Sequence, residues 1–237
     1  MAEPFGRAVR DHHRGERDEP LIQRDGEETR EHPIEQFYFT EFTAESETGR
    51  WLESYLDGPL LDLGAGAGRH ALYFQAEFET VAIEVSEHLV ATMRDRGVAD
   101  AREGDMFALR ETFERDRFQS ALAIGTQLGL AGSMDGLRRF LGDLAHVTAP
   151  DGTAVVDCYD PARIEEGELL GYRPDPTPGQ AARVMTFEYE EELSETLLFR
   201  LFGPDRIREA AVGTDWRVAD ICYGDDGPHY RAALEKR

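Results

Sequence analysis

The run Leu60-Leu61-Asp62-Leu63-Gly64-Ala65-Gly66-Ala67-Gly68-Arg69-His70 constrains this chain more than any other stretch of it. A short apolar segment breaks into glycines at alternate positions, and a helical pattern follows to Ala76. Those are the marks of a buried strand, a tight turn and a helix start. Glycine takes left-handed backbone conformations without strain and lets the main chain lie close against a bound molecule, so the turn is predicted to hold a nucleotide.

The strand-helix pattern then repeats. A second strand is predicted at Thr80–Glu84, a helix over Glu87–Arg96 with Ser86 as its N-cap, a third strand near Ala99–Glu103 and a fourth from Phe118 towards Gln127. The helix Met134–Val147 carries Leu137, Phe140, Leu141 and Leu144 on one face and stops at Pro150-Asp151-Gly152, ahead of a fifth strand at Val155–Tyr159. Such alternation closes as a parallel sheet with right-handed crossovers, and ligands then sit beyond the carboxyl ends of the strands. After Pro161 the pattern changes. Two runs, Arg183–Tyr189 and Thr196–Phe202, read as an antiparallel hairpin inserted at about 180–203, a short helix spans Pro204–Ala211, and Trp216–Ile221 and His229–Leu234 read as closing antiparallel strands. Ahead of the first core strand, residues up to Glu31 are dominated by charge, with Phe5, Val9, Leu21 and Ile22 too few to build a core alone, so the segment is mobile or folds over something. Aromatic and apolar residues from Phe37 to Leu56 then predict two helices.

The acids complete the pattern. Asp62 lies two residues before the first glycine, Glu84 ends the second strand 20 positions after Gly64, and Asp105 follows the third. In this order, Gly64-x-Gly66-x-Gly68 resembles motif I of the class I S-adenosylmethionine-dependent methyltransferases. The likeness extends through Val81-Ala82-Ile83-Glu84-Val85, Arg102-Glu103-Gly104-Asp105-Met106 and Phe118–Gln127, covering residues 60–159. It implies a Rossmann-like, doubly wound seven-stranded sheet, mostly parallel with an antiparallel C-terminal strand, to which this chain adds the hairpin. It divides the chain into a charged segment with capping helices (1–56) and a methyltransferase domain (57–237), and it implies S-adenosylmethionine as cofactor.

The resemblance also assigns residues. Asp62 braces the turn, while Gly64, Ala65, Gly66 and Gly68 lie along the cofactor. Glu84, followed by Val85, accepts from the ribose hydroxyls. Asp105 takes the exocyclic amine of the adenine and Met106 covers a ring face. Gly125 and Thr126 border the transferred methyl group, and Tyr38 enters from the capping helices. Arg69 either reaches the cofactor's carboxylate or pairs with surface acids. Two departures narrow the reading further. Arg69 stands where a dinucleotide fingerprint needs its third glycine, which disfavours NAD. Members that methylate nucleic-acid bases carry an acidic-or-Asn Pro-Pro-aromatic motif after the fourth strand, whereas this chain has Gly125-Thr126-Gln127-Leu128-Gly129.

Composition excludes other classes of partner. With 26 Lys and Arg against 48 Asp and Glu, the net charge is −22, and Lys236 is the sole lysine. Nucleic acid and anionic membrane surfaces both require a basic footprint, so neither is expected as a partner. A protein kept soluble in concentrated salt would show the same balance, because self-repulsion at this charge is tolerated when screened. Cys158 and Cys222 are read as reduced structural thiols, the N-terminus lacks the apolar stretch of a secretory signal, and the cytoplasm is the expected compartment. His12, His13, His32 and His229 form no metal-ligand spacing and are expected to be solvated. Since a sulfonium methyl is already electrophilic, no obligatory catalytic residue is predicted, and a base is needed only for a protonated acceptor. The expected function is methyl transfer to a small molecule. The alternative is a non-catalytic module that binds the same cofactor or its product and acts through a partner protein.

Overall fold

The computed structural model describes residues 3–165, 167–224 and 227–237. In chain order the elements are α1 (Pro4–Arg14), β1 (Ile22–Asp25), β2 (Glu28–Glu31), a π-helical turn (Glu35–Phe39), α2 (Glu47–Glu53), β3 (Leu60–Leu63), α3 (Arg69–Phe74), β4 (Thr80–Glu84) and α4 (Glu87–Asp95). There follow β5 (Ala101–Glu103), α5 (Leu109–Thr112), β6 (Phe118–Ala123), a 3-10 turn (Gln127–Ala131), α6 (Met134–Val147) and β7 (Thr148–Tyr159). The C-terminal part holds β8 (Tyr172–Pro174), β9 (Gln180–Tyr189), β10 (Glu192–Leu193), β11 (Leu197–Phe202), α7 (Pro204–Ala211), β12 (Trp216–Tyr223) and β13 (His229–Lys236).

Seven strands form the main sheet in the order β12-β13-β7-β6-β3-β4-β5. Those from β7 to β5 are parallel, and at the other edge β13 pairs antiparallel with β7 and β12 antiparallel with β13. Helices cover both faces, which is why β3 and β4 are buried at every position and read as apolar runs rather than alternating ones. On one face Leu61, Leu63, Ala123 and Val156 pack with α6 and α7; on the other, Leu60, Leu122 and Val155 pack with Leu52 and Phe74 of α2 and α3. The helix starts follow the serines. Ser46, Ser86 and Ser133 accept from the amides of Gly49, Leu89 and Gly136 at 2.9, 3.2 and 3.0 Å, capping α2, α4 and α6.

The inserted hairpin is larger in space than in sequence. β9 pairs antiparallel with β8, β10, β11 and β1, and β1 carries β2, so a six-stranded second sheet joins the N-terminal segment to the insertion. This explains how the charge-rich N-terminus folds without a core of its own. Leu21 and Val9 are buried against Phe187 and Tyr189 of β9, and α1 lies on α4, with Arg10 bonded to Asp95 at 2.7 Å. Of the two helices expected before the first core strand, the first is the π-helical turn, so the long α-helix of this region lies earlier, in α1. No helix among the described residues is long and apolar enough to cross a membrane.

Candidate cofactor and active site

The glycine turn leaves β3 with Gly64, Gly66 and Gly68 at φ +61°, +57° and +79°, the left-handed region that side chains rarely adopt. Each glycine also answers a close neighbour. A Cβ on Gly68 would lie 2.6 Å from Val98, so Gly68 sets the approach of α3 to the loop after α4. A Cβ on Gly66 would meet the Tyr38 ring at 3.2 Å, and one on Gly64 would meet the Gln127 side chain at 2.7 Å. The turn therefore carries the Tyr38 ring and the Gln127 chain as its cover, and both neighbours are side chains rather than backbone. Arg96 holds the cover in place by donating to the carbonyls of Tyr38 and Ala67 at 2.9 and 2.6 Å.

Glu84 and the turn converge. Its carboxylate, 8 % exposed, accepts from the amide of Gly66 at 3.1 Å and from the amides of Val85 and Ser86 at 2.9 and 3.4 Å. Burial raises the Glu84 pKa, and these amides oppose that rise. A carboxylate offers about four lone-pair sites, so three amides leave room for one hydroxyl donor. At the next strand tip Glu103 pairs in register with Glu84, and Asp105 follows, exposed, with one oxygen accepting from Phe107 N at 2.8 Å. Val85 stands exposed beside the tip. Met106, by contrast, is buried in the main core with Leu63 and Ile83, so its expected place over an adenine face is not the one it takes here.

Asp62 is buried under the turn with Oδ2 unpartnered. Burial lifts its pKa from 3.8 to about 7, the Ala71 amide in α3 lowers it and Glu84 adds to the rise. Because the folded-state value lies above the unfolded one, the associated stability is full at low pH and is lost as pH rises through about 7. Asp62→Asn is therefore expected to match the native chain near pH 4 and to gain on it as pH rises to about 7, by about 4 kcal/mol at pH 8, read by urea unfolding. A constant difference across that range would show that Asp62 is ionised throughout.

At the tip of β6, Thr126 adopts φ +59°, strained for a non-glycine residue, directly after Gly125 at φ +106°. Asp157, 1 % exposed on β7, holds both: its oxygens accept from Gly125 N at 2.9 Å and Thr126 N at 2.6 Å. His229 Nε2 lies 2.8 Å from the same carboxylate. The expectation of solvated histidines fails here and at His32, which is buried between Gln23 and Tyr38. The register of β13 on β7, with Tyr159 opposite His229 and Asp157 opposite Arg231, brings these groups together. The signal for Asp157 was present in the sequence, since an acid inside an apolar strand needs partners; the identity of those partners depends on a strand 72 residues away.

Arg69 and His70 open α3 beside this group. His70 is driven down to a pKa of about 3 by burial and by the charges of Arg69 and Arg231, so it is neutral at physiological pH. Among the described residues neither Arg69 nor Arg231 forms an ion pair, and the Nε atom of each is buried without a partner. The surface-pair reading of Arg69 is thus not what the structure shows.

Residues 60–152 match a family described as a methyltransferase domain. No curated protein matches the sequence. Among solved structures, an S-adenosylmethionine-dependent methyltransferase from Bacteroides fragilis in complex with S-adenosyl-L-homocysteine is 22 % identical with a TM-score of 0.78, covering 98 % of this chain and 94 % of its own. The 1,6-didemethyltoxoflavin-N1-methyltransferase of Burkholderia thailandensis is 18 % identical with a TM-score of 0.56 over 100 % of this chain and 91 % of its own. A sugar N-methyltransferase from Streptoalloteichus is 16 % identical with a TM-score of 0.60 over 81 % and 87 %. Residues 60–152 thus match the methyltransferase domain family, and they sit in a chain that takes the class I, Rossmann-like methyltransferase fold across nearly its whole length.

Proposed function

We propose that this chain transfers the methyl group of S-adenosylmethionine to a small molecule, with residues 57–237 as the transferase and residues 1–56, together with the inserted hairpin, as its cover. The observation that carries the reading is the convergence of the Gly66 amide and the Glu84 carboxylate at adjacent strand tips, over the buried, unpartnered Oδ2 of Asp62. These groups fit the cofactor. The glycine turn offers close backbone approach, Glu84 an acceptor for a ribose hydroxyl, Asp105 an acceptor for the adenine amine, and Asp62 a negative charge for the ammonium of the methionyl tail. S-adenosylmethionine supplies a methyl group on a sulfonium, which a nucleophile displaces when aligned with the carbon-sulfur bond. The chain's share is alignment and exclusion of water. Tyr38 and Gln127 close the turn from above, and the Gly125-Thr126 corner, fixed by Asp157, borders the reacting atom.

Two lines support a small acceptor. The net charge of −22 opposes nucleic-acid and anionic-membrane partners, and the Burkholderia and Streptoalloteichus enzymes act on 1,6-didemethyltoxoflavin and on a sugar. The same acidic balance supports a protein adapted to concentrated salt. The cofactor assignment is tested by thermal unfolding with S-adenosylhomocysteine and with NAD. At a hundredfold excess over Kd the former is expected to raise Tm by about 5 °C or more, since binding of that strength adds about 2.7 kcal/mol. A larger shift with NAD would overturn the assignment.

A further inference from the structure

A polar cavity opens beside the glycine turn rather than over it. It holds about 150 Å³ between the loop ahead of α2, the start of α3 and β13, and its lining includes Glu41, Thr43, Arg69, His70 and Arg231. Several arginines of this acidic chain are held in ion pairs: Arg10 with Asp95, Arg24 with Glu188, Arg173 with Asp25, Arg200 with Asp175. Arg69 and Arg231 instead face one cavity together, close enough for the charge of Arg231 to lower the pKa of Arg69. Glu41 also lines the cavity, yet it makes no ion pair with either arginine among the described residues. Two neighbouring guanidinium groups with neutral His70 beside them form a receptor for an oxyanion, which they can hold through paired N–H donors.

The position of the cavity says which oxyanion. Arg231 stands opposite Asp157 on β7, and Asp157 holds the Gly125-Thr126 corner assigned to the transferred methyl, so the strand pairing sets a cavity-lining arginine beside the residue that fixes that corner. Glu84 and Asp105, the groups assigned to the nucleoside, lie towards the opposite edge of the sheet, on β4 and beyond β5. We propose that Arg69 and Arg231 bind the carboxylate or phosphate of the methyl acceptor, which makes the substrate an anionic small molecule. This rests on the methyl-transfer reading. It also accounts for a local cationic pair in a protein whose overall field repels anions.

The test is calorimetric titration of the whole chain with malonate and, separately, with inorganic phosphate at low ionic strength, in the presence of saturating S-adenosylhomocysteine. Saturable binding of either anion is expected, at least tenfold weaker in Arg231→Gln and in Arg69→Gln and unchanged in Arg139→Gln, an exposed α6 arginine paired with Asp135. Whichever anion binds more tightly identifies the acceptor group as carboxylate or phosphate. Absence of binding by the native chain overturns the proposal, as does equal binding by all variants. So does exclusion of malonate by S-adenosylhomocysteine combined with a tenfold loss of affinity for S-adenosylhomocysteine, but not for 5′-methylthioadenosine, in Arg231→Gln: that outcome gives the arginines to the cofactor's own carboxylate. Melting curves recorded for each variant separate a local loss from a failure to fold. If S-adenosylhomocysteine itself fails to bind, the methyl-transfer reading falls, and the malonate titration without it still reports on the anion site alone.

Discussion

Asp157→Ala is expected to destabilise the fold by about 3 kcal/mol, with Gly125 and Thr126 losing their hydrogen-exchange protection. Asp157 is 1 % exposed and gathers three donors, the amides of Gly125 and Thr126 and the imidazole of His229. Removing a buried acceptor from such a set costs about 1–3 kcal/mol for each donor left without a partner, and the half-exposed corner recovers part of this from water. Thr126 adds to the loss, because its left-handed conformation is strained and is held by the bond from Asp157 to its amide. His229→Gln should cost little by comparison, since His229 is 31 % exposed and a glutamine amide can still donate. Urea unfolding of both variants checks the ordering. If His229→Gln were as damaging as Asp157→Ala, the carboxylate would be serving the histidine and not the corner.

The contrast between these two residues shows what the sequence disclosed and what it withheld. Strands and helices from Leu60 to Val147 were legible because each follows from local chemistry: apolar runs bounded by glycine or proline, a serine before α4 and before α6, an apolar face of period 3.6 along α6. The glycine turn and Glu84 were legible because their spacing is fixed by one strand-turn-helix unit. The second sheet was not. Its central strand β9 pairs with β1, and residues 22–24 meet residues 186–188 across a separation that no local pattern encodes. His229 was read as solvated because nothing within its own segment demands a partner, whereas its partner waits on β7. Arg231 escaped for the same reason, and Met106 was misplaced because an apolar residue after a strand tip can turn either into the core or over a ligand. Groups placed within one strand-turn-helix unit were visible in the sequence; those brought together by antiparallel strands joining the far edge of the sheet needed the fold.

Glu84→Ala is expected to weaken S-adenosylhomocysteine binding by about 30- to 100-fold, roughly 2–3 kcal/mol, measured by titration calorimetry. Two contributions add. A charge-assisted hydrogen bond to a ribose hydroxyl is worth about 1.5–3 kcal/mol, and the carboxylate also fixes the Gly66 amide at 3.1 Å, so its loss loosens the turn itself. The contributions separate with a ligand lacking the 2′-hydroxyl. If Glu84 bonds the ribose directly, the native chain distinguishes the deoxy analogue from S-adenosylhomocysteine and Glu84→Ala binds both alike. If Glu84 acts only by shaping the turn, the native chain and the variant discriminate between the two ligands to the same degree, while both ligands bind the variant more weakly. Glu103→Ala serves as the comparison. Glu103 sits opposite Glu84 in the β4–β5 register but is exposed, with no carboxylate contact to the turn. Equal losses from the two variants would mean that removal of negative charge near the strand tips, rather than a bond from Glu84, governs affinity.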